Sequence, residues 1–553
     1  MSFCLDDGSE LLFGPASMDE PATAILHVTD IPGEAATRAQ INTTNETAIL
    51  PANTGDIVTN STGFDKRLLV VPFLLAIIAI GGFFGYRYLK PAGTEQINSI
   101  AVLPFENRSG SADTDYLPDG LAESLIYRLS QLPSLKVSPT NSVLRYKGKD
   151  TDVAQIAKEL EVDAVMTGRL TQRGDDLTIS VELTDARTKK LIWAEQYVRK
   201  MSDLLATQRE IAGAVTQKLQ LKLSGDDAKG LTKSYTNDNE AYQLYLKGRF
   251  YWNKRTTESL KTAIEQFKAA SEKDPNFALA YVGIADSYLV GLFNSRGKDK
   301  EAIPLAKSYA TRAFEIDPTL AEVHASLGLV NQYQWNWAEA EKYFKRALEL
   351  SPNYPTTFHW YSRALRSQGR YDEGLEMIMR AKQADSLSLS ISNNVGESLI
   401  EKGDIQGAIA ESRRGLEIGP SWVPYRTMAY CYLKLGQKDE ALANARTAAE
   451  IMQGSGVTLK VLGYVQGAIG NRSEALAIAR NIEDQYTKGE VDGRDVATVY
   501  AGMGDNDKVF EWLEKDFQNH GYGMHELRLE PLFIALRSDP RFKDLLKRMG
   551  LPE

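Results

Sequence analysis

The feature that most constrains this chain is a length of about 34 residues that keeps recurring. Small residues stand at Ala306, Ala340, Gly374, Ala408, Ala441 and Ala475, with Val509 at the next step, at intervals of 34, 34, 34, 33, 34 and 34. An earlier member, Ala263, lies 43 residues before Ala306, one unit plus a nine-residue insertion. A fixed period of this size means stacked supersecondary units, each burying its apolar face on its neighbours, in place of one closed globule. Each unit reads as an apolar helix A, a short turn and a helix B. The turn carries Gly369, Gly403, Gly436, Gly470 and Gly504, where a left-handed backbone costs glycine little. Pro275, Pro318, Pro352 and Pro420 close units, where one helix has stopped and the next begins.

The rest of the 553 residues call for further domains. The formal net charge of -9 argues against a general nucleic-acid binder, which would show a basic face. Cys4 and Cys431 are far apart and give neither a disulfide framework nor zinc-ligand spacing, and the five histidines form no HExxH or HxH arrangement. No metal or cofactor is expected. Residues 1–65 carry ten Asp or Glu and one Arg, the composition of a disordered acidic tail. Leu68–Tyr86 is a run of 19 residues without a charge, flanked by Lys66 and Arg67 on one side and Arg87 and Lys90 on the other. Its length just crosses a bilayer core, so a transmembrane helix is expected over 66–90. The flanking charges tie and do not orient it.

Residues 97–223 read as a compact α/β domain. Ser99–Phe105 is a short apolar strand, and Pro118–Leu132 is a helix with Leu121, Leu125, Ile126, Leu129 and Leu132 on one face. Leu135 and Val137 begin another strand, and Val153–Leu160 a second helix. Val165–Leu170, the strictly alternating Leu177, Ile179, Val181 and Leu183, and Leu191–Tyr197 form a three-stranded meander with polar turns at Arg173–Asp176 and Asp185–Lys189. A helix over Ser202–Leu223 closes the unit, and 224–239 is a linker. Repeats occupy 240–515 and a cap 516–553. The expected fold class is therefore a disordered tail, one transmembrane helix, a small α/β domain and an all-α repeat solenoid.

Leu327-Gly328, Glu339-Ala340, Leu348 with Leu350-Ser351-Pro352, Gly436 with Glu440-Ala441 and Gly470 with Glu474-Ala475 fall at the usual offsets of the tetratricopeptide repeat, which the units resemble. Ile100–Phe105, Asp119-Gly120-Leu121, Arg145–Gly148 and Leu191–Ala194 are similar to the α/β domain related to the N-terminal domain of TolB. This pairing resembles the rear half of bacterial signalling proteins whose front half is a class III adenylate cyclase, a CadC-type winged helix or a serine/threonine kinase. His359-Trp360-Tyr361 and Leu536–Phe542 look like the same group. The chain shows no kinase Gly-rich loop, HRD or DFG triplet and no P-loop. Phe3-Cys4-Leu5-Asp6-Asp7-Gly8 resembles the end of a small zinc-ribbon head, whose other ligands are not in this sequence. The resemblance implies a bacterial inner-membrane protein with a cytoplasmic tail and residues 91–553 in the periplasm.

The repeat register points one face of helix A outward. That face offers Gln332 and Tyr333, then His359, Arg363 and Arg366, then Asn393 and Glu397, then Arg426 and Tyr430. These residues are the candidate protein-binding set, with the arginines able to hold a carboxylate or phosphate through paired hydrogen bonds. Asp119, Glu123, Asp175 and Asp176 are the tempting carboxylates of the α/β domain. Asp175 and Asp176 suit a tight turn and Asp119 a helix start, and no base, nucleophile or metal set accompanies them. No catalysis and no small-molecule substrate are expected. The expected function is a membrane-anchored scaffold that binds a protein or peptide on the concave face of its repeats, in bacterial signalling or envelope assembly. The alternative is the sensory half of a kinase- or cyclase-related signalling system that transmits ligand binding across the membrane.

Overall fold

A computed structural model of the chain describes residues 97–110, 114–149, 152–221, 223–295 and 301–552. All of them belong to one compact unit, Ala92–Glu553. Its sheet has the order β3-β1-β4-β5-β6, with β2 also paired to β4. β1 (Ser99–Val102) runs parallel to β3 (Lys136–Val137) and to β4 (Ala164–Arg173), and β2 (Glu106–Asn107) is parallel to β4. β4, β5 (Asp176–Asp185) and β6 (Lys190–Lys200) form the expected antiparallel meander. Leu177, Ile179, Val181 and Leu183 all point into the core, as strict alternation requires.

The helices of this part are α1 (Tyr116–Ser130), α2 (Thr140–Leu144), α3 (Val153–Leu160), α4 (Leu204–Lys218) and α5 (Gly225–Thr232). The last lies inside the segment read from sequence as a plain linker. A capping box between Ser224 and Asp227 starts it, and the Arg128 guanidinium holds its end by donating to the carbonyls of Leu231 and Lys233 at 3.0 and 2.9 Å.

Sixteen helices follow as eight A/B pairs. They are α6 (Asn239–Asn253) with α7 (Thr257–Lys273), α8 (Ala278–Ser295) with α9 (Ala302–Ile316), α10 (Ala321–Tyr333) with α11 (Trp337–Leu350), and α12 (Pro355–Ser367) with α13 (Tyr371–Ala384). Then come α14 (Leu389–Glu401) with α15 (Ile405–Ile418), α16 (Trp422–Lys434) with α17 (Lys438–Ile451), α18 (Gly456–Ile469) with α19 (Arg472–Thr487), and α20 (Gly493–Gly502) with α21 (Asn506–Gln518). α22 (Pro540–Arg548) ends the chain.

The seven non-glycine members of the 34-residue series, Ala263 to Val509, are all fully buried on helix B, where A and B touch. The insertion enlarges the second unit, whose helix A runs to 18 residues. Close approach of the paired helices depends on glycine. A Cβ at Gly328 would lie 2.7 Å from the Phe344 ring, and one at Gly248 2.5 Å from Phe267.

The expected fold class is corrected in one respect. No helix among the described residues is long and apolar enough to cross a membrane. These helices are at most 18 residues long, whereas a span needs about 20 apolar residues in succession. The transmembrane element is therefore withdrawn, and with it the single-pass inner-membrane placement with residues 91–553 in the periplasm. Leu68–Tyr86, on which both rested, and the tail 1–65 lie outside the described residues.

The end of the chain also differs from a simple end cap. Tyr522–Leu529 and Pro531–Leu536 form two 3-10 stretches that run back along the A helices, touching α10 and α12, then α14, α16 and α20. Met524, Leu527 and Phe533 are fully buried there. Beyond them, the Trp337 indole donates to the carbonyl of Met549 at 2.7 Å. At the other end α1 packs on α6, where a Cβ at Gly120 would lie 2.8 Å from Leu246.

The contrast between packed and open glycines is testable. Gly328→Val forces a branched side chain into the Phe344 ring and is expected to destabilise the fold by about 2 kcal/mol or more. Gly213, on α4, has nothing within 4 Å of an added Cβ. Gly213→Ala is expected to stabilise by about 0.5–1 kcal/mol. Urea denaturation of both variants checks the pair, and equal effects would contradict the packing argument.

Candidate functional site

In α12, α14 and α16 the candidate residues recur every three or four positions, so within each helix they share one face, whereas Gln332 and Tyr333 of α10 are adjacent. The structure brings most of them together. Arg366 is fully buried. Its Nε and Nη2 donate to the two oxygens of Glu401 at 2.8 and 3.0 Å, and its Nη1 donates to Asn394 Oδ1 at 3.3 Å. Glu397 lies 3.7 Å from the same guanidinium and pairs with Arg426. Asn394 also reaches His359, Nδ2 to Nε2, at 3.0 Å.

The remaining partners come from the returning segment. Arg363 pairs with Glu526, and Arg494 lies 4.0 Å from the same carboxylate. Glu530 lies 3.7 Å from Arg426 and 3.3 Å from Lys460, whose ammonium also donates to Asp495 at 2.8 Å. Ser367 Oγ donates to the carbonyl of His525 at 3.1 Å, and Tyr333 meets the His525 ring edge-on at 4.5 Å. Tyr430 packs among Ile400, Ile409, Met428 and Leu532. Gln332 is fully buried, and neither amide atom has a hydrogen-bond partner among the described residues. Asn393 Oδ1 and Thr427 Oγ1 share that condition.

The electrostatics follow from this crowding. Burial alone would raise the Glu530 carboxyl, but Lys460, Arg426 and Arg494 outweigh it and hold it down at about 2. Burial raises Glu401, with Arg366 opposing. Burial and the positive charges of Arg363, Arg366 and Arg255 push His359 down to about 3, so it is neutral at physiological pH.

The carboxylates of the α/β domain are not assembled into a site. Asp176 pairs with Lys200 at 2.6 Å beside the Gly174 turn, in solvent. Asp119 stands in the first turn of α1 and accepts from Lys147 at 2.6 Å instead of capping the helix. Glu123 accepts from Arg249 Nε at 2.7 Å and from Asn253 at 2.8 Å, joining α1 to the first repeat.

Beside that joint lies a cavity of about 190 Å³ between α1 and the first A helices, lined by Tyr242, Tyr245, Arg249, Asp286, Glu322 and Tyr354. Asp286 accepts from Ser326 Oγ at 2.5 Å, and Glu322 is reached by the Tyr127 hydroxyl at 3.4 Å. Burial pushes the two carboxyls up to about 6 and about 7. The sequence reading missed this cavity. One signal was present, since Asp286 is the only charged residue in Ala278–Ser295.

Two outcomes follow. Arg366→Met leaves Glu401 and Glu397 buried without their cation and is expected to cost about 3–5 kcal/mol, while Arg366→Met with Glu401→Met recovers most of it. A double-mutant cycle in urea measures this, and additive losses would contradict it. For Glu322 the folded carboxyl holds its proton above the unfolded value. Its ionisation therefore destabilises the fold progressively as pH rises from about 4.5 to about 7. Glu322→Gln is expected to add about 1–3 kcal/mol at pH 8 and little at pH 4.5. A pH-independent effect in the same assay would contradict that.

Residues 95–213 match the second domain of HilA/YgeH-like transcriptional regulators, and 321–354 match the tetratricopeptide repeat. A putative adenylate cyclase 3 of Rhizobium meliloti is 30% identical over 244 residues, 44% of this chain and 42% of that protein. The transcriptional regulator HilA of Salmonella typhimurium is 24% identical over 319 residues, 54% of each chain. The chain thus spans about half the length of these curated relatives. Among solved structures, Pseudomonas aeruginosa PilF has a TM-score of 0.32 at 21% identity, covering 39% of this chain and 93% of that one. The chain thus contains a tetratricopeptide repeat and an α/β domain similar to one found in transcriptional regulators. The expected likeness to TolB is not supported by these matches.

Proposed function

We propose that this chain is a protein-interaction scaffold of a bacterial signalling system, and that the concave groove of its repeats takes a segment of a partner protein. One observation carries the reading. The A helices set Arg363, Arg426, Lys460 and Arg494 along one groove, and that groove is occupied by another stretch of polypeptide, the two 3-10 turns of the chain's own 522–536. A groove that holds one segment through side-chain ion pairs has the chemistry to hold another. The repeat architecture favours protein recognition, and the likeness to a regulator and to a cyclase supports a signalling role.

A second reading rests on the cavity between α1 and the first repeats. A partly open space of about 190 Å³ with aromatic walls and buried carboxylates has the lining of a small-ligand site. It would make the unit the ligand-responsive half of a signalling protein.

The scaffold reading is tested by selecting peptides from a random library on the folded chain and mapping them by substitution. Peptides are expected to lose at least tenfold in affinity with Arg426→Ala and to be unaffected by Lys342→Ala on a B helix. Binders that respond only to B-helix substitutions would overturn it.

A further inference from the structure

The groove's occupant meets the groove through two carboxylates as well as through His525 and Leu532. Glu526 and Glu530 stand four residues apart, and each is met by two cations from different A helices: Arg363 and Arg494 for the first, Arg426 and Lys460 for the second. These four cations belong to α12, α16, α18 and α20, so no single repeat makes the site. Lys460 is fully buried, and Arg426 and Arg494 are nearly so. Arg426 and Lys460 each have one anion from the repeats, Glu397 and Asp495, and Glu530 brings both a second one into a place from which water is excluded. Polar atoms around the same groove are left over, namely Gln332 Nε2 and Oε1, Arg426 Nε, Arg494 Nε and Glu530 Oε1, none with a hydrogen-bond partner among the described residues. The groove therefore offers more hydrogen-bonding capacity than the chain's own segment uses.

We infer that the groove of α12–α20 is a reader of acidic peptide segments carrying two carboxylates four residues apart, and that Tyr522–Leu536 is its built-in competitor. The inference rests on the scaffold reading and deepens it by naming the partner's chemistry. In the isolated chain the tethered segment fills the site at high effective concentration, so a partner binds only as that segment leaves. The hinge is at hand. His520 takes a left-handed backbone (φ 48°) between the end of α21 and the segment, and Gly521 follows it.

The test uses the full chain. Glu526→Ala with Glu530→Ala removes both anchors, and hydrogen exchange of residues 522–536 reports whether the segment has opened. A fluorescein-labelled peptide with the sequence of residues 519–540 is then titrated in. The opened chain is expected to bind it at least tenfold more tightly than the wild-type chain does. The same peptide with both glutamates replaced by glutamine is expected to bind at least tenfold more weakly. Glutamine and glutamate peptides binding equally well would overturn the acidic-segment inference and leave the scaffold reading standing. Failure of an opened chain to bind either peptide would overturn both. Equal binding by wild type and variant, or no change in exchange of 522–536, would overturn the competitor role. If the double variant does not fold, the wild-type chain with a protease site placed between Asn519 and Gly521 serves instead. After cleavage the wild-type fragment 521–553 is expected to remain bound, and one with both glutamates changed to glutamine to be retained at least tenfold more weakly. Equal retention would overturn the inference.

Discussion

A charge withdrawn from water must find its counter-charge at the place where it is buried, and the groove is organised by that requirement. Signs alternate along it: Glu401, Arg366, Glu397, Arg426, Glu530, Lys460, Asp495. The links join helices A of successive units, so the ion chain helps to fix the register of the stack in addition to the small-residue contacts between A and B. One member, Glu530, does not come from a repeat. Without it Arg426 and Lys460 would lose the anion they share, at a cost of several kcal/mol for buried ions. This is why the end of the chain lies in the groove and does not merely cover the last helix pair.

The same physics at the other end gives a different result. There the sheet domain presses α1 onto α6, and the ion pair of Glu123 with Arg249 is complete with Asn253 as a third partner. Asp286 and Glu322 are buried nearby, Asp286 with a serine hydroxyl and Glu322 with a distant tyrosine hydroxyl as hydrogen-bond partners. Their carboxyls respond by holding protons at higher pH, the ordinary response of an acid deprived of water. In the groove, Lys460, Arg426 and Arg494 thus keep the Glu530 carboxylate charged, whereas in the cavity burial keeps Asp286 and Glu322 neutral until pH rises. A substitution that is harmless in one half is costly in the other for this reason.

The difference between what was legible and what was not is one of range. Ala306, Ala340 and their periodic partners are contacts between neighbouring helices, so a repeat in sequence is a repeat in space. The meander was legible because alternation at Leu177–Leu183 is a local property. The residues read as an outward face of helix A are instead covered: Gln332 and Arg366 are fully buried, and Arg363, Arg366 and Arg426 are paired with Glu526, Glu401 and Glu397. Nothing local revealed what covers them. Glu526 lies in a 3-10 turn and Glu530 at the break between two such turns, so neither follows an α-helical period, and they meet residues that are 32 to 163 positions away in sequence. The bond from Ser142 to Asp385 and that from Trp337 to Met549 are equally remote. A period cannot encode contacts that occur only once.

Residues 92–553 carry a formal net charge of -4, so an acidic segment approaching them meets a weakly repelling field before it meets the groove. That field belongs to exposed side chains and is screened over about 8 Å at physiological ionic strength. The cations of the groove are buried, where screening by salt is weak and Coulomb interactions are stronger than in water. Salt should therefore speed the encounter by damping the outer repulsion while leaving the inner ion pairs nearly untouched. An acidic partner selected by such a groove would gain affinity, or hold it, as salt rises through the physiological range. A pair joined by surface charges of opposite sign behaves in the opposite way, which makes the sign of the salt effect a property of where the charges are buried and not of how many there are.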